Sequence, residues 1–412
     1  MKIGIKATHI VAGGGLTHLR GILDHRPKQS KDDGVIIYCA QSQRQMFCAY
    51  DSSYTVRYFT MPSWGSIARI FWEQAILPIY VWRDKCNVLF EPGNVGSILC
   101  PCPRVQLIHS LAPFDPDYVR TESVTQRLRL KLLEWVTCFS ARRSAGIIFI
   151  SHFARRLLHD RLLGSGQDTT VIYHAGNYDT DCQALSKPES TRALCQASAH
   201  LDESSNTSST KGSPCRTILC VSHIYRYKNI ETLFKGFAQA SEELASPIAL
   251  QIAGEVYDRA YHAQLLALCA DLRVSEKVAF LGSLPQEALY RLYRECDLFV
   301  FPSLLENCPT ILIEALTAGA PTITAEYGVM PEIAESGAAY FGPRDYQKLG
   351  SLLAFYLTSE KSRKELGARA TQRSQRFDWK QSAFETFSFL QSVAGLRSTR
   401  ATSTLRWKQE TV

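Results

Sequence analysis

The sequence predicts an α/β protein built from two parallel-sheet domains. Short apolar stretches alternate with longer amphipathic ones, which is the pattern of parallel strands joined by crossover helices. The alternation runs in two blocks of similar size, and a stretch rich in Ser, Thr and Ala separates them. A chain of 412 residues, 45% of them hydrophobic, is long enough for two cores of ordinary size.

The first block has six short apolar segments with the composition of buried strands, each bounded by polar or turn-forming residues. They are KIGIKA (2–7), GVIIYCA (34–40), NVLFEP (87–92), RVQLIHS (104–110), AGIIFIS (145–151) and TTVIYHA (169–175).

The second block repeats this alternation. Its strand-like segments are RTILCVS (216–222), IALQIAG (248–254), KVAFLG (277–282), DLFVFPS (297–303) and APTITA (320–325). Its helical segments are 229–245, 258–272, 285–295 and 309–318, and SAFETFSFLQSV (382–393) predicts one more amphipathic helix.

These patterns predict the domain boundaries. We expect a first domain over 1–185, a flexible linker or surface insertion over 186–214 and a second domain over 215–375. A C-terminal helix follows over 376–395, and 396–412 is expected to be a disordered tail. Two such domains facing each other place a cleft at the carboxyl ends of both sheets, where ligands of parallel sheets bind.

Composition excludes several classes of protein. No run of about 18 apolar residues is present, and the N-terminus is a strand followed by glycines, unlike a signal peptide. The 13 cysteines lack paired spacing, which favours reduced thiols in a cytosolic protein over disulfides or a zinc site. No motif of a nucleic-acid reader is present either.

The net charge of +7 is concentrated in one region. Nine Lys or Arg residues and only three acids lie between 119 and 161. The segment TQRLRLKLLEWV (125–136) alternates cations with leucines, so it can lie on an anionic membrane. It can equally be a crossover helix with a solvated basic face. We favour a membrane surface formed by 120–143.

Two glutamates flank a predicted helix start in FPSLLENCPTILIEALTAGAPTI (301–323). Pro309 suits the first helical position and Gly319 the helix end. The free N–H groups of 307–310 would attract an anion such as a diphosphate. Glu306 and Glu314 can accept hydrogen bonds from the hydroxyls on either side of it. Two solvated acids at this spacing are the alternative.

A basic loop follows the first strand of the second block, in ILCVSHIYRYKNIETLFKGF (218–237). His223, Arg226 and Lys228 all come after the strand. A lysine there can stabilise the charge of a departing phosphate. A solvated basic turn is the alternative.

These segments resemble the family-four glycosyltransferases, retaining enzymes of the GT-B fold with two facing Rossmann-like domains. VSHIYRYKNIETL (221–233) resembles the first donor-domain loop of that family, and 301–333 its glutamate-seven-glutamate signature. RFDWKQSAFETF resembles the closing helix that returns to the first domain. AGGGLTHL, FEPGN and IHSLAPF resemble, more loosely, the branch that builds bacterial surface polysaccharides, often from mannose donors.

The resemblance implies roles for single residues of the second block. Glu306 would contact the donor sugar and Glu314 the nucleotide ribose, while Lys228 would bind the diphosphate. His223 stands where the family usually has an arginine, and Arg226 could supply the missing charge.

The resemblance assigns further donor-binding and catalytic positions. Asn307 and Cys308 would present the helix start to the donor. Gly14 and Gly15 match the first-domain glycine loop near the donor phosphate and acceptor. His109 would lie near the reacting carbon, or else it is a packing histidine at a strand end.

The implied activity is transfer of a hexosyl group from a nucleotide-diphosphate sugar, with GDP-mannose as a candidate, to a glycan or lipid-linked acceptor. No metal or cofactor is expected, since Lys228 and helix N–H groups would meet the leaving charge. The Asp-x-Asp segments at 115–117 and 179–181 are interpreted as turns. A cytoplasmic protein attached to the inner face of the membrane is expected. A non-catalytic nucleotide-sugar-binding partner and a GT-B epimerase are the alternatives.

Overall fold

The computed structural model describes residues 1–10, 13–27, 34–61, 65–164, 167–176 and 215–395. The chain forms two compact units. Unit 1 comprises Met1–His174 and the segment that starts at Trp379, and unit 2 comprises Ala175–Asp378. The linker predicted at 186–214 and the tail predicted at 396–412 lie outside the described residues.

Unit 1 is built on a seven-stranded sheet in which all neighbouring strands run parallel. Its strands are β1 (Lys2–Lys6), β2 (Gly34–Ala40), β3 (Thr55–Phe59), β4 (Val88–Pro92), β5 (Arg104–Ile108), β6 (Gly146–Phe149) and β7 (Asp168–Val171). Their order is β3-β2-β1-β4-β5-β6-β7. Every residue of β4 and β5 is buried, as expected for central strands covered on both faces.

The helices of unit 1 follow its strands as crossover connections or short turns. They are α1 (Gly13–Asp24), α2 (Arg44–Phe47), α3 (Gly65–Ala75), α4 (Leu77–Arg83), α5 (Pro116–Thr121), α6 (Val124–Ala141) and α7 (His152–Leu162). Three 3-10 turns accompany them at Gln41–Gln43, Cys48–Tyr50 and Ala112–Phe114.

Unit 2 is built on a six-stranded parallel sheet. Its strands are β8 (Arg216–Val221), β9 (Ile248–Ala253), β10 (Val278–Gly282), β11 (Leu298–Phe301), β12 (Thr322–Ala325) and β13 (Ala338–Phe341), in the order β10-β9-β8-β11-β12-β13. The order reverses between β8 and β11. This is the topological switch point, where parallel sheets open a crevice for ligands.

The helices of unit 2 cover both faces of this sheet around a large apolar core. They are α8 (Ile230–Glu243), α9 (Arg259–Asp271), α10 (Gln286–Glu295), α11 (Thr310–Thr317), α12 (Met330–Ala334), α13 (Tyr346–Thr358) and α14 (Glu360–Ser374). The 3-10 turns of this unit are Arg226–Lys228, Ser275–Lys277 and Glu335–Gly337.

The last helix, α15 (Trp379–Val393), completes unit 1 and packs against α1. A Cβ built on Gly21 of α1 would lie 2.4 Å from the indole ring of Trp379, so only glycine allows this approach. The rings of His18 and His174 stack beside the indole with their centroids 4.2 Å apart. Desolvation by burial, together with the neighbouring His109, lowers the pKa of His18 to about 3.

The predicted α/β class is confirmed, and two strands escaped prediction. β3 (TVRYF) lies at the edge of its sheet and is only partly buried, and β13 (AAYF) contains two alanines, so neither resembles a buried apolar run. Both edge strands lack the composition on which the prediction depended. The cleft between the two domains stays a prediction.

Candidate active site

A buried ion pair between Lys228 and Glu306 lies at the switch point of unit 2. Lys228 ends the 3-10 turn after β8, and Glu306 lies in the loop after β11. Nζ of Lys228 is 2.5 Å from Oε1 of Glu306, which also accepts a hydrogen bond from Oγ of Ser303 at 2.7 Å. The two charged side chains are only 9% and 16% exposed. Two of the predicted side chains therefore meet, largely shielded from water.

The turn that carries Lys228 is held by Asn229, which adopts the left-handed conformation with φ 56° and ψ 36°. Asparagine tolerates this conformation better than most residues. Its Nδ2 donates hydrogen bonds to the carbonyls of Pro302, at 3.1 Å, and Pro343, at 2.6 Å. Its Oδ1 accepts a hydrogen bond from Oγ1 of Thr232 at 2.7 Å. One buried amide thus ties the turn after β8 to the end of β11.

Glu314 lies in the second turn of α11 and is buried. Its Oε1 accepts a hydrogen bond from Nε2 of Gln286, at the start of α10, at 3.2 Å. Asn307 and Cys308, which precede α11, are buried as well. Pro309 is extended, with ψ 98°, and serves as the N-cap, one position earlier than the sequence predicted. The helix therefore starts at Thr310, and its first free N–H groups follow this buried loop.

His223 and Arg226 have different partners in the loop after β9. Nδ1 of His223 accepts a hydrogen bond from the backbone N–H of Glu255 at 3.2 Å. Desolvation, followed by the nearby positive charge of Lys228, lowers the pKa of its imidazole, which is therefore mainly neutral near pH 7. Nε of Arg226 lies 3.8 Å from Oδ2 of Asp258, which caps α9. The roles of both residues on a phosphate stay predictions.

Aromatic rings extend from the ion pair to the surface. Nζ of Lys228 lies 5.1 Å from the centroid of the Tyr227 ring. Tyr225 stacks on Tyr227 at 5.5 Å and on Tyr257 at 5.3 Å between centroids, with interplanar angles of 17° and 8°. His223 meets Tyr257 edge-on. The loops after β8 and β9 thus carry a continuous aromatic stack that the sequence analysis did not identify.

In unit 1 the predicted glycines meet the predicted histidine. A Cβ built on Gly14 would lie 3.3 Å from Cε1 of His109, and one on Gly15 would lie 3.9 Å from its Nε2. Oδ1 of Asn94 accepts hydrogen bonds from the backbone N–H groups of His109, at 3.0 Å, and Ser110, at 2.9 Å. Burial lowers the pKa of His109. Both interpretations of this histidine, at the reacting carbon or in packing, fit this geometry.

The basic segment of unit 1 forms α6, an 18-residue helix. Val124, Leu128, Leu132 and Trp135 lie on one face of it and are each more than 60% exposed. The cations that flank this face are exposed too, namely Arg127, Arg129, Lys131, Arg142 and Arg143. No helix within the described ranges is long and apolar enough to cross a bilayer.

The first Asp-x-Asp segment, 115–117, forms local contacts at the start of α5. Asp115 caps α5 by accepting a hydrogen bond from the N–H of Tyr118, and Asp117 pairs with Arg120 at 3.1 Å. The segment 179–181 lies outside the described residues. Across the described part of the chain, no group of three or more His, Cys, Asp or Glu side chains is placed to hold a metal ion.

Sequence reasoning missed three polar partners, Ser303, Gln286 and Asn94. Ser303 had a local signal, because a hydroxyl three residues before Glu306 in a loop can bond to its carboxylate. Gln286 is 28 residues from Glu314 along the chain, and Asn94 is 15 from His109. Contacts at these separations depend on the folded arrangement.

Part of the second half of the chain matches a known protein family. Residues 203–373 match the family described as glycosyl transferases group 1. The serotype-specific mannosyltransferase WbdA of Escherichia coli is 32% identical over 171 residues, which are 41% of this chain and 21% of that protein. The match thus spans about a fifth of the length of this relative.

Solved structures share the fold over nearly the whole chain. HepE from Anabaena, determined in complex with UDP, has a TM-score of 0.69 and 18% identity, and the match covers 95% of this chain and 100% of HepE. WaaG, a glycosyltransferase involved in lipopolysaccharide biosynthesis, has a TM-score of 0.65 and 15% identity, and the match covers 94% of this chain and 99% of WaaG. At these identities the likeness concerns the fold, and it confirms the predicted GT-B fold.

Proposed function

Because the chain has the GT-B fold and its residues 203–373 match the group 1 glycosyl transferases, we propose that it is a retaining glycosyltransferase. It moves a hexosyl group from a nucleotide-diphosphate sugar to a glycan or lipid-linked acceptor in polysaccharide biosynthesis. The observation that carries the proposal is the buried Lys228–Glu306 pair, which lies at the switch point of unit 2 and within the matched segment.

The comparisons suggest two classes of donor. WbdA is a mannosyltransferase, which makes GDP-mannose a candidate. HepE was determined with UDP, which makes a UDP-sugar the second candidate. The proposal needs no cofactor besides the nucleotide sugar and no metal ion.

The side chains of unit 2 suit successive parts of such a donor. Lys228 supplies the positive charge that stabilises the leaving diphosphate, together with the N–H groups at the start of α11. Glu306 accepts hydrogen bonds from the hydroxyls of the transferred sugar. A carboxylate can accept about four hydrogen bonds, and the contacts with Lys228 and Ser303 use two. Glu314, oriented by Gln286, accepts from the ribose hydroxyls.

The sugar can be transferred in one step, without a covalent intermediate between sugar and enzyme. The acceptor oxygen forms a bond to the anomeric carbon as the bond from that carbon to the diphosphate oxygen breaks. The acceptor proton passes to the departing diphosphate on the same face, which gives retention of configuration. Gly14 and Gly15 of unit 1 let the backbone approach the donor phosphate and the acceptor, and His109 lies near the reacting carbon.

A non-catalytic sugar-nucleotide-binding partner is the second candidate function. It is favoured by one observation, the neutral His223 at a position where the family usually carries an arginine. An epimerase is the third candidate, and the cationic helix α6 argues against it, because an epimerase needs no acceptor.

We also propose that α6 attaches the protein to the inner face of an anionic membrane, in the cytoplasm. The exposed face of Val124, Leu128, Leu132 and Trp135 would enter the headgroup region, and the flanking cations would meet lipid phosphates. This arrangement would bring the transferase to a lipid-linked acceptor.

Binding and turnover of nucleotide sugars test the proposed function. GDP, UDP, ADP and their sugars are screened by thermal shift, because a ligand at 100 times its Kd stabilises the folded protein by about 2.7 kcal/mol. The release of nucleoside diphosphate from the binding donor is then measured with saccharide and lipid-extract acceptors. Lys228→Ala should lower kcat by about 10²–10³-fold, whereas Lys235→Ala, on the exposed side of α8, should not.

Three outcomes are decisive. Wild-type turnover in the Lys228→Ala variant contradicts the assignment of the diphosphate site. Donor binding without any cleavage supports the non-catalytic candidate. Interconversion of the donor sugar without an acceptor supports the epimerase.

Vesicle sedimentation tests the membrane proposal separately. We expect the protein to pellet with phosphatidylglycerol vesicles and to stay in solution with phosphatidylcholine alone. Leu128→Asp should abolish pelleting, and Leu266→Asp, at an exposed position of α9 in unit 2, should not. Equal pelleting of both variants would show that α6 is a solvated crossover helix.

A further inference from the structure

A cavity of about 470 Å³ opens at the amino ends of the unit 2 strands. It lies between Arg216 at the start of β8, Arg294 at the end of α10 and the first turns of α14. Lys228 follows the opposite end of β8, which at roughly 3.3 Å per residue is about 15–20 Å away. The cavity is therefore distinct from the candidate active site.

The lining of the cavity includes residues with small side chains or none. Gly319, Gly367 and Ala368 lie there. A Cβ built on Gly367 would lie 2.7 Å from the carbonyl oxygen of Gly319, so α14 approaches the loop before β12 too closely for any larger residue. The volume falls in the range of small-molecule sites, about 300–1,000 Å³.

Positive charge predominates in the lining. Asp297 lies between two arginines: Nη1 of Arg216 is 2.8 Å, and Nη2 of Arg363 is 3.8 Å, from its Oδ1. Its Oδ2 accepts a hydrogen bond from the N–H of Thr217. Asp297 thus balances only one of the two guanidinium charges.

The other side of the cavity adds further positive potential. Lys364 pairs with Glu360 at 2.7 Å, and both side chains are mostly exposed, so an incoming anion can compete for the lysine. Arg294 is exposed as well. The cavity is lined by four cations and two acids, and the N-terminus of the 15-residue helix α14 adds its partial positive charge.

We propose that this cavity binds a phosphorylated sugar. Arg294 and Lys364 bind its phosphate, and Thr371, about 10 Å further along α14 from Lys364, accepts a hydrogen bond from a sugar hydroxyl. The volume exceeds that of a single phosphate ion, and the mixture of cations with acceptors suits a ligand that is anionic at one end and hydroxylated at the other. This inference does not depend on the proposed transferase activity.

Calorimetric titration with glucose 6-phosphate at low ionic strength tests the proposal, with glucose and inorganic phosphate as comparison ligands. The wild type should bind glucose 6-phosphate more tightly than either. Arg294→Ala and Lys364→Ala should each weaken binding at least about tenfold, the usual effect of losing a charged hydrogen bond. Lys361→Ala, an exposed lysine of the same helix outside the cavity, should change it less than about twofold.

Two further variants separate this cavity from other anion sites. Ala368→Phe should block binding by filling the cavity, without a change of charge, and Lys228→Ala should leave binding unchanged. The proposal is overturned if Lys364→Ala binds as the wild type does, or if glucose or inorganic phosphate binds equally well. It is also overturned if Lys228→Ala abolishes binding, because the ligand would then occupy the candidate active site.

Discussion

The Lys228–Glu306 pair makes a prediction that needs no substrate. Replacing either partner alone leaves the other as an uncompensated charge in a site that is mostly removed from water. Breaking a buried pair in this way costs about 3–5 kcal/mol. In Lys228→Met, Glu306 still accepts the hydrogen bond from Ser303 and is 16% exposed. We therefore expect a loss of unfolding free energy at the lower end of this range, about 3 kcal/mol. Glu306→Gln should cost a similar amount.

The double variant should be more stable than the sum of the single effects predicts, because neither position then carries a buried charge. We expect a coupling free energy of about 2 kcal/mol or more. Hydrogen exchange of the β8 and β11 amides reports the local stability at this junction, and urea unfolding reports the global effect. Lys235→Met is the matched control. A coupling below about 0.5 kcal/mol would show that the two charges are screened by water, which refutes the argument from burial.

Three further predictions follow from other parts of the structure. Glu314→Ala should chiefly raise the KM for the donor, since it removes a contact made in the ground state, and steady-state kinetics measure this; a fall in kcat alone would contradict it. His18 has a folded pKa of about 3 against an ordinary value of 6.5, so its contribution to stability is fully present above pH 6.5 and is lost as the pH falls towards 3. By pH 5 its share of the loss is about 2 kcal/mol, and His18→Phe should reduce the slope measured by urea unfolding, while His109 and His174, whose pKa values are lowered too, keep part of it. Gly21→Ala should destabilise by about 1–3 kcal/mol through its clash with Trp379, as thermal unfolding measures, whereas Gly34→Ala, whose Cβ would meet nothing closer than 3.7 Å, should be nearly neutral.

The fold was predictable where strands are buried on both faces, because β8 and β11 carry the apolar runs ILCV (218–221) and LFVF (298–301). The edge strands β3 and β13 were not, since TVRYF is interrupted by an arginine and AAYF contains no Val, Ile or Leu, whereas the partly buried edge strands β7 and β10 lie in the apolar segments TTVIYHA and KVAFLG, which were predicted. Pairing with a neighbour, rather than side-chain composition, makes these segments strands.

The sequence was enough to predict which segments form the candidate site and which charged residues they contribute. Strand ends and a helix start indicated where Lys228 and Glu306 lie, and their contact follows from the adjacency of β8 and β11. The orientation of Arg226 towards Asp258 was not predictable, because the adjacency of β8 and β9 brings several loop side chains together and does not select which of them pair. Local sequence gives the position of a side chain, and tertiary packing selects its partner.

Unit 2 is one continuous stretch of chain, while unit 1 is assembled from two pieces that flank it. During synthesis all of unit 2 therefore leaves the ribosome before α15 does. The surface of α1 at Gly21 has no Trp379 to cover it until α15 emerges. Unit 1 can therefore complete its fold only after unit 2 has been synthesised. A chain that ends before residue 379 would contain all of unit 2 but would lack the helix that completes unit 1.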